Sequence, residues 1–187
     1  MRLVRSAALY LSIALGANAA AAADIDTLEG LRDGDLKKLT FADPKPVPDI
    51  AFFLPDGSET TLEAYRGKYV LVNFWATWCA PCRKEMPELN ALQQEFGGDR
   101  FEVLTIATGR NSPAGINKFF AETDITALPK ATDPKSALAR EMGVLGLPIT
   151  VLIDPDGNEI ARLMGDAAWH SDSARAIAAE LVATPEG

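Results

Sequence analysis

Cys79 and Cys82 are the only cysteines in a chain of 187 residues, and they stand three apart. Two thiols at that spacing can exchange an electron pair with a disulfide, hold a soft metal, or staple the chain. A staple closing over two intervening residues removes very little loop entropy from the unfolded state. Chemistry therefore explains the pair better than architecture does. A structural zinc site wants four ligands, and beyond the two cysteines the chain offers only His170, far away in sequence. Two thiolates can hold Cu(I), which prefers soft ligands, and that stays open as a side activity. His170 reads as an ordinary surface residue, and neither a metal nor a cofactor is expected.

The flanking sequence supplies the elements that position the pair. Residues 69–76, Tyr-Val-Leu-Val-Asn-Phe-Trp-Ala, have the composition of a buried strand. Residues 80–96 follow with Met86, Leu89 and Leu92 at three-residue spacing and stop at Gly97-Gly98, which predicts an amphipathic helix. Cys79 then falls at the N-terminal end of that helix. There, free N–H groups and the positive end of the macrodipole favour a thiolate and lower its pKa. Cys82 lies one turn on, able to resolve a mixed disulfide that Cys79 has formed. Pro81, which has no N–H, suits the first turn. Arg83 and Lys84 add positive charge near the thiolate, and Pro87 is expected to kink the helix by removing the bond to the Arg83 carbonyl.

Around this unit the chain reads in order. Ile50–Leu54 and Glu59–Leu62 flank Pro55-Asp56-Gly57-Ser58, a hairpin signal. Strand 101–107 precedes a helix over 113–122 that carries Ile116, Phe119 and Phe120, then an unpatterned link over 123–132. A helix over 136–142, introduced by Pro134, comes next. Strands 149–153 and 159–163 surround Asp154-Pro155-Asp156-Gly157-Asn158, a second hairpin, and Ser171 caps a closing helix over 172–182. The middle units call for a parallel crossover and the last hairpin for antiparallel pairing. The fold class is α/β: a mixed central sheet with helices on both faces and an N-terminal β-hairpin.

Residues 24–48 read as an N-terminal extension, with Leu28, Leu31, Leu36 and Leu39 on one face, ending in a proline-rich extended connector over 43–48. The domain proper is expected over residues 49–187. Residues 1–23 lie outside it. Arg2 and Arg5 precede an apolar, alanine-rich run with small-residue cleavage sites, which marks a signal peptide, with an uncleaved membrane anchor as the competing reading. Either form exports the domain to an oxidising compartment. The formal charge of −8, or −10 once residues 1–23 with their two arginines are removed, disfavours nucleic acid and anionic membrane surfaces as partners.

Residues 74–87, Phe-Trp-Ala-Thr-Trp-Cys-Ala-Pro-Cys-Arg-Lys-Glu-Met-Pro, resemble the active-site signature of the thioredoxin superfamily in its TlpA/ResA-like branch of exported thiol-disulfide oxidoreductases. Residues 143–154, Gly-Val-Leu-Gly-Leu-Pro-Ile-Thr-Val-Leu-Ile-Asp, are similar to the family's cis-proline segment. The resemblance covers about residues 49–182 and implies a thioredoxin-like fold. It implies a cis Leu147–Pro148 bond beside the cysteines, whose flanking backbone pairs with an incoming substrate. Thioredoxin itself carries a buried aspartate where this chain has Asn73, which cannot titrate. The exported branch instead carries a functional glutamate three residues after the second cysteine, and Glu85 matches it. Trp78 is expected to shape the exposed contact surface, and Trp75 to lie in the core.

The branch is mostly reducing, and the Ala-Pro between the cysteines lacks the histidine of strongly oxidising members. The resemblance thus implies a reductase of disulfide-containing partner proteins, either those of cytochrome oxidase copper-site assembly or apocytochrome c. Relatives devoted to cytochrome c typically read Gly-x-Pro-Glu-Thr at the cis-proline, whereas this chain has Leu147-Pro148-Ile149-Thr150, which favours the copper-related or a general role. With two cysteines there is no internal electron donor, so a membrane-bound thiol reductase is expected to regenerate the protein. A Cu(I)-binding chaperone module and a disulfide-forming oxidant are the alternatives.

Overall fold

The structure, a computed structural model, describes residues 23–183. The leader expected over residues 1–23 therefore lies, Ala23 apart, outside the described residues. In chain order the elements are α1 (Ile25–Gly30), β1 (Thr40–Pro46), β2 (Phe52–Phe53), β3 (Glu59–Thr60), β4 (Tyr69–Trp75), α2 (Ala80–Phe96), β5 (Phe101–Thr108), α3 (Pro113–Glu122), β6 (Ala131–Asp133), α4 (Ala137–Glu141), β7 (Ile149–Ile153), β8 (Asn158–Met164) and α5 (Asp172–Ala183). Short 3-10 turns occupy Gly34–Lys38 and Leu62–Tyr65.

The strands form one mixed sheet in the order β1-β8-β7-β4-β5-β6-β2-β3. β4 runs parallel to β5 and antiparallel to β7, and every one of its residues is buried. Its side chains alternate between two cores, as the pleat requires. Tyr69, Leu71 and Trp75 join α2, α3 and α5 on one face. Val70, Val72 and Phe74 join Phe52, Leu62 and α4 on the other. The mixed sheet with helices on both faces is as expected, and β2 pairs antiparallel with β3 across Phe52↔Thr60.

Alternation also places three polar residues in one row beneath α2. Asn73 is in register with Thr105 on β5 and with Thr150 on β7, and all three are fully buried. Thr105 Oγ1 donates to the Pro129 carbonyl at 2.6 Å, and Asn73 Nδ2 donates to Thr150 Oγ1 at 2.9 Å.

Four segments differ from expectation. The proline-rich stretch read as a connector is strand β1, paired antiparallel with β8 through Thr40↔Arg162 and Pro46↔Asn158. Prolines belong on an edge strand, where one row of N–H groups has no ladder partner, and the pairing shifts register between Phe41 and Lys45 to pass Asp43-Pro44. Within the stretch read as peripheral, Leu28, Leu36 and Leu39 are buried in the same core as the cysteines, and the Ala23 N–H donates to Tyr69 Oη at 2.6 Å, at the start of β4. The unpatterned link ends in β6, three residues too short to show a period, which extends the parallel pairing of β5. Helix α4 begins at Ala137 rather than Ser136, which is left-handed and does not cap it; Asp133 Oδ1 accepts from Ala137 N–H at 2.8 Å and Oδ2 from Ala139 N–H at 3.0 Å.

Burial of the N-terminal leucines carries a measurable cost. Leu39→Ala is expected to lower unfolding free energy by about 3 kcal/mol, as for other buried leucines, read by urea denaturation at constant pH; a loss under about 1 kcal/mol would return this segment to the periphery.

Candidate active site

β4 ends at Trp75, and the chain turns through Ala76-Thr77-Trp78 into α2. This turn is held from outside. Asn111 Oδ1 accepts from Thr77 N–H at 2.8 Å and from Thr77 Oγ1 at 2.9 Å, while Asn111 Nδ2 donates to the Thr108 carbonyl at 2.9 Å. From inside, Trp75 packs against Phe119 and Phe120 with ring centroids 5.5 and 5.8 Å away. Asn111 carried no signal in the sequence, because a polar residue in a loop has no period to betray its partner.

Cys79 is the N-cap of α2 and is joined to Cys82 in a disulfide. Its sulfur accepts from the Cys82 N–H at 3.3 Å, so it stands where a thiolate would meet the unpaired N–H groups of the first turn. Cys79 keeps 6% of its surface exposed and Cys82 none. Pro81 is exposed in the first turn, and Trp78 is 66% exposed directly before Cys79. Arg83 lies over the Phe119 ring, 4.6 Å from its centroid, and donates to the Thr77 carbonyl at 3.2 Å. Lys84 pairs with Asp166 at 3.3 Å, so part of the positive charge expected beside the sulfur is engaged elsewhere. α2 runs on through Pro87 as one helix.

The Leu147–Pro148 bond is cis. The pairing Phe74↔Ile149 sets Pro148 beside the end of β4 from which the cysteine turn departs. Leu147 is half-buried and Pro148 buried, and the Pro148 carbonyl accepts from Gly165 N–H at 3.0 Å.

Glu85 is 2% exposed, one turn after Cys82 on the buried face of α2. Asn73 Nδ2 donates to its Oε1 at 2.8 Å; Ala167 N–H and Trp169 Nε1 donate to its Oε2 at 3.1 and 2.9 Å. Burial pushes its pKa up from 4.5 to about 7, against the three hydrogen bonds, which pull it down, and with a smaller upward push from Asp166. Among the described residues, Asn73 Oδ1 has no hydrogen-bond partner. His170 is exposed, with Nε2 2.9 Å from Glu95.

The chain that carries this turn is similar to known proteins. The AhpC/TSA family model covers residues 44–160. The chain belongs to the AhpC/TSA family. The thiol-disulfide oxidoreductase ResA of Bacillus thuringiensis is 32% identical over 122 residues, which is 65% of this chain and 69% of that one. The solved structure of a thiol:disulfide interchange protein, DsbE, of Chlorobium tepidum superposes with a TM-score of 0.63 at 27% identity, covering 78% of this chain and 99% of the other. The exposed lipoprotein thioredoxin Etrx1 of Streptococcus pneumoniae gives a TM-score of 0.56 at 30% identity over 64% of this chain and 91% of its own. The expected family resemblance and fold are both found. This protein is a thiol-disulfide oxidoreductase.

A carboxyl raised by burial leaves a signature in stability. Between pH 4.5 and about 7 the folded chain keeps a proton on Glu85 that the unfolded chain has lost, so stability falls as pH rises through that window and levels off above it. Glu85→Gln is expected to remove this slope: relative to the variant, the wild type should lose about 3 kcal/mol between pH 4.5 and 8. Urea denaturation of the oxidised forms at both pH values checks it, and parallel stability curves would show an unshifted carboxyl.

Proposed function

We propose that this oxidoreductase is exported and acts as a reductant of disulfides in partner proteins. The observation that carries the reading is the asymmetry of the pair: Cys79 caps α2 and reaches the surface, while Cys82 is enclosed behind it. In the reduced enzyme the Cys79 thiolate attacks a substrate disulfide, forming a Cys79–substrate mixed disulfide and releasing one substrate thiolate. Cys82 then gives its proton to the Glu85 carboxylate and attacks the Cys79 sulfur. The mixed disulfide breaks, the Cys79–Cys82 disulfide forms, and the second substrate sulfur leaves and takes up a proton. The substrate gains two electrons from the enzyme; of the two protons its thiols take up, one is the Cys82 proton handed on from Glu85 and the other comes from water.

A base near pKa 7 is matched to such a transfer at neutral pH. Trp78, Pro81, Leu147 and Pro148 form the proposed contact surface, with Trp78 standing out from the turn and the cis segment offering backbone to an extended peptide. The basic, then apolar residues 1–23 support export as a leader or anchor, with the extension over 24–48 and the thioredoxin-like domain over 49–187 following. Among the described residues no helix is long and apolar enough to cross a membrane. The missing histidine between the cysteines supports the reducing direction, and the Leu147-Pro148-Ile149-Thr150 segment supports partners of copper-site assembly or a broad substrate range over apocytochrome c. A membrane-bound thiol reductase would return the electrons.

Equilibration with glutathione or dithiothreitol tests the direction of flow. A potential near about −270 mV, as in thioredoxin, is expected; one near about −120 mV, as in DsbA, would make the protein an oxidant. Cys79→Ser should abolish turnover of a disulfide substrate, and retained Cu(I) binding with no turnover in the wild type would replace the enzyme by a carrier.

A further inference from the structure

The segment between β8 and α5 touches the redox site at three points. Gly165 N–H donates to the Pro148 carbonyl at 3.0 Å, Ala167 N–H donates to Glu85 Oε2 at 3.1 Å, and Trp169 Nε1 donates to the same oxygen at 2.9 Å. Trp169 is 2% exposed and lies 84 residues from Glu85 in sequence. A buried tryptophan usually finds a partner for its N–H. Here the partner is an ionisable group, although the indole N–H of Trp75, also buried, has no partner among the described residues.

We propose that Trp169 is a positioning residue for proton transfer at Cys82, its indole N–H holding the Glu85 carboxylate on the face of α2 that both side chains share. The inference rests on the reading that Glu85 receives the Cys82 proton. Two donors on Oε2 and one on Oε1 fix the carboxylate plane, so the group cannot swing away when it ionises. Each donor also favours the charged form over the protonated one.

The surroundings are otherwise nearly free of charge. β4 contributes Asn73 and β7 contributes Thr150, both neutral. Among the described residues, the segment before α5 contributes the charge that acts on Glu85, Asp166, which is itself paired with Lys84 of α2. Removing the indole donor and removing the Asp166 charge should therefore move Glu85 in opposite directions. No general softening of the fold would do that.

The test uses the reduced full chain with 5,5′-dithiobis(2-nitrobenzoate). The first thionitrobenzoate released reports attack by Cys79, and the second reports resolution by Cys82. In Trp169→Phe, which keeps the ring but not the donor, the pH midpoint of the second release is expected to rise by about one unit. In Asp166→Asn it should fall, and in Glu85→Gln the inflection should vanish. A Trp169→Phe enzyme slowed equally at every pH, with its midpoint unmoved, overturns the inference. An inflection that survives Glu85→Gln overturns instead the role of Glu85 on which it rests. If Trp169→Phe does not fold, the wild-type indole N–H proton resonance decides. It should titrate with the same midpoint and stop titrating in Glu85→Gln, and a resonance flat with pH overturns the inference.

Discussion

A carboxylate cannot be taken out of water without donors to replace the water, and in this protein that requirement shapes the ground beneath the active site. Glu85 sits in an apolar core between α2 and the sheet, and its donors come from β4 and from the segment before α5. Those donors exist because β4 alternates. The residues on its α2 side are Tyr69, Leu71, Asn73 and Trp75, so the one polar member of the series faces the helix carrying Cys82. Asn73 is in turn anchored on Thr150, its cross-strand neighbour, and that fixes the register of β7 and the place of Pro148 at its start. The donors, the pleat and the cis-proline segment are thus parts of one arrangement.

The same arrangement explains why an asparagine stands where thioredoxin has an acid. Two carboxyls sharing this small buried volume would repel, and one would stay protonated. Asn73 instead offers an amide that donates to the acid, leaving Glu85, among the described residues, as the ionisable side chain of this hydrogen-bond network. The titrating group of this network stands on the helix rather than the sheet, on the element that bears Cys82.

Much of this could be read from residue types. The apolar run ending at Ala76, the Met86-Leu89-Leu92 spacing and the Gly97-Gly98 stop are local signals, and α2 begins and ends where they say. Cys79 and Cys82 were legible because their chemistry is rare and their spacing is short, and Pro148 through the family resemblance of its segment. What stayed hidden depends on distance along the chain. Trp169 and Glu85 are 84 residues apart and Thr77 and Asn111 are 34 apart, and no periodicity joins either pair. β1 was hidden for a different reason: Pro44 and Pro46 speak against a strand everywhere except at a sheet edge, and edge position is a property of the finished sheet.

The hydrogen bond from Ala23 to Tyr69 fixes where the described chain begins relative to the redox site. It ties the chain to the start of β4, whereas the disulfide lies beyond the end of that strand, about 20 Å away along seven extended residues. Ala23 therefore sits at the pole of the domain remote from Cys79.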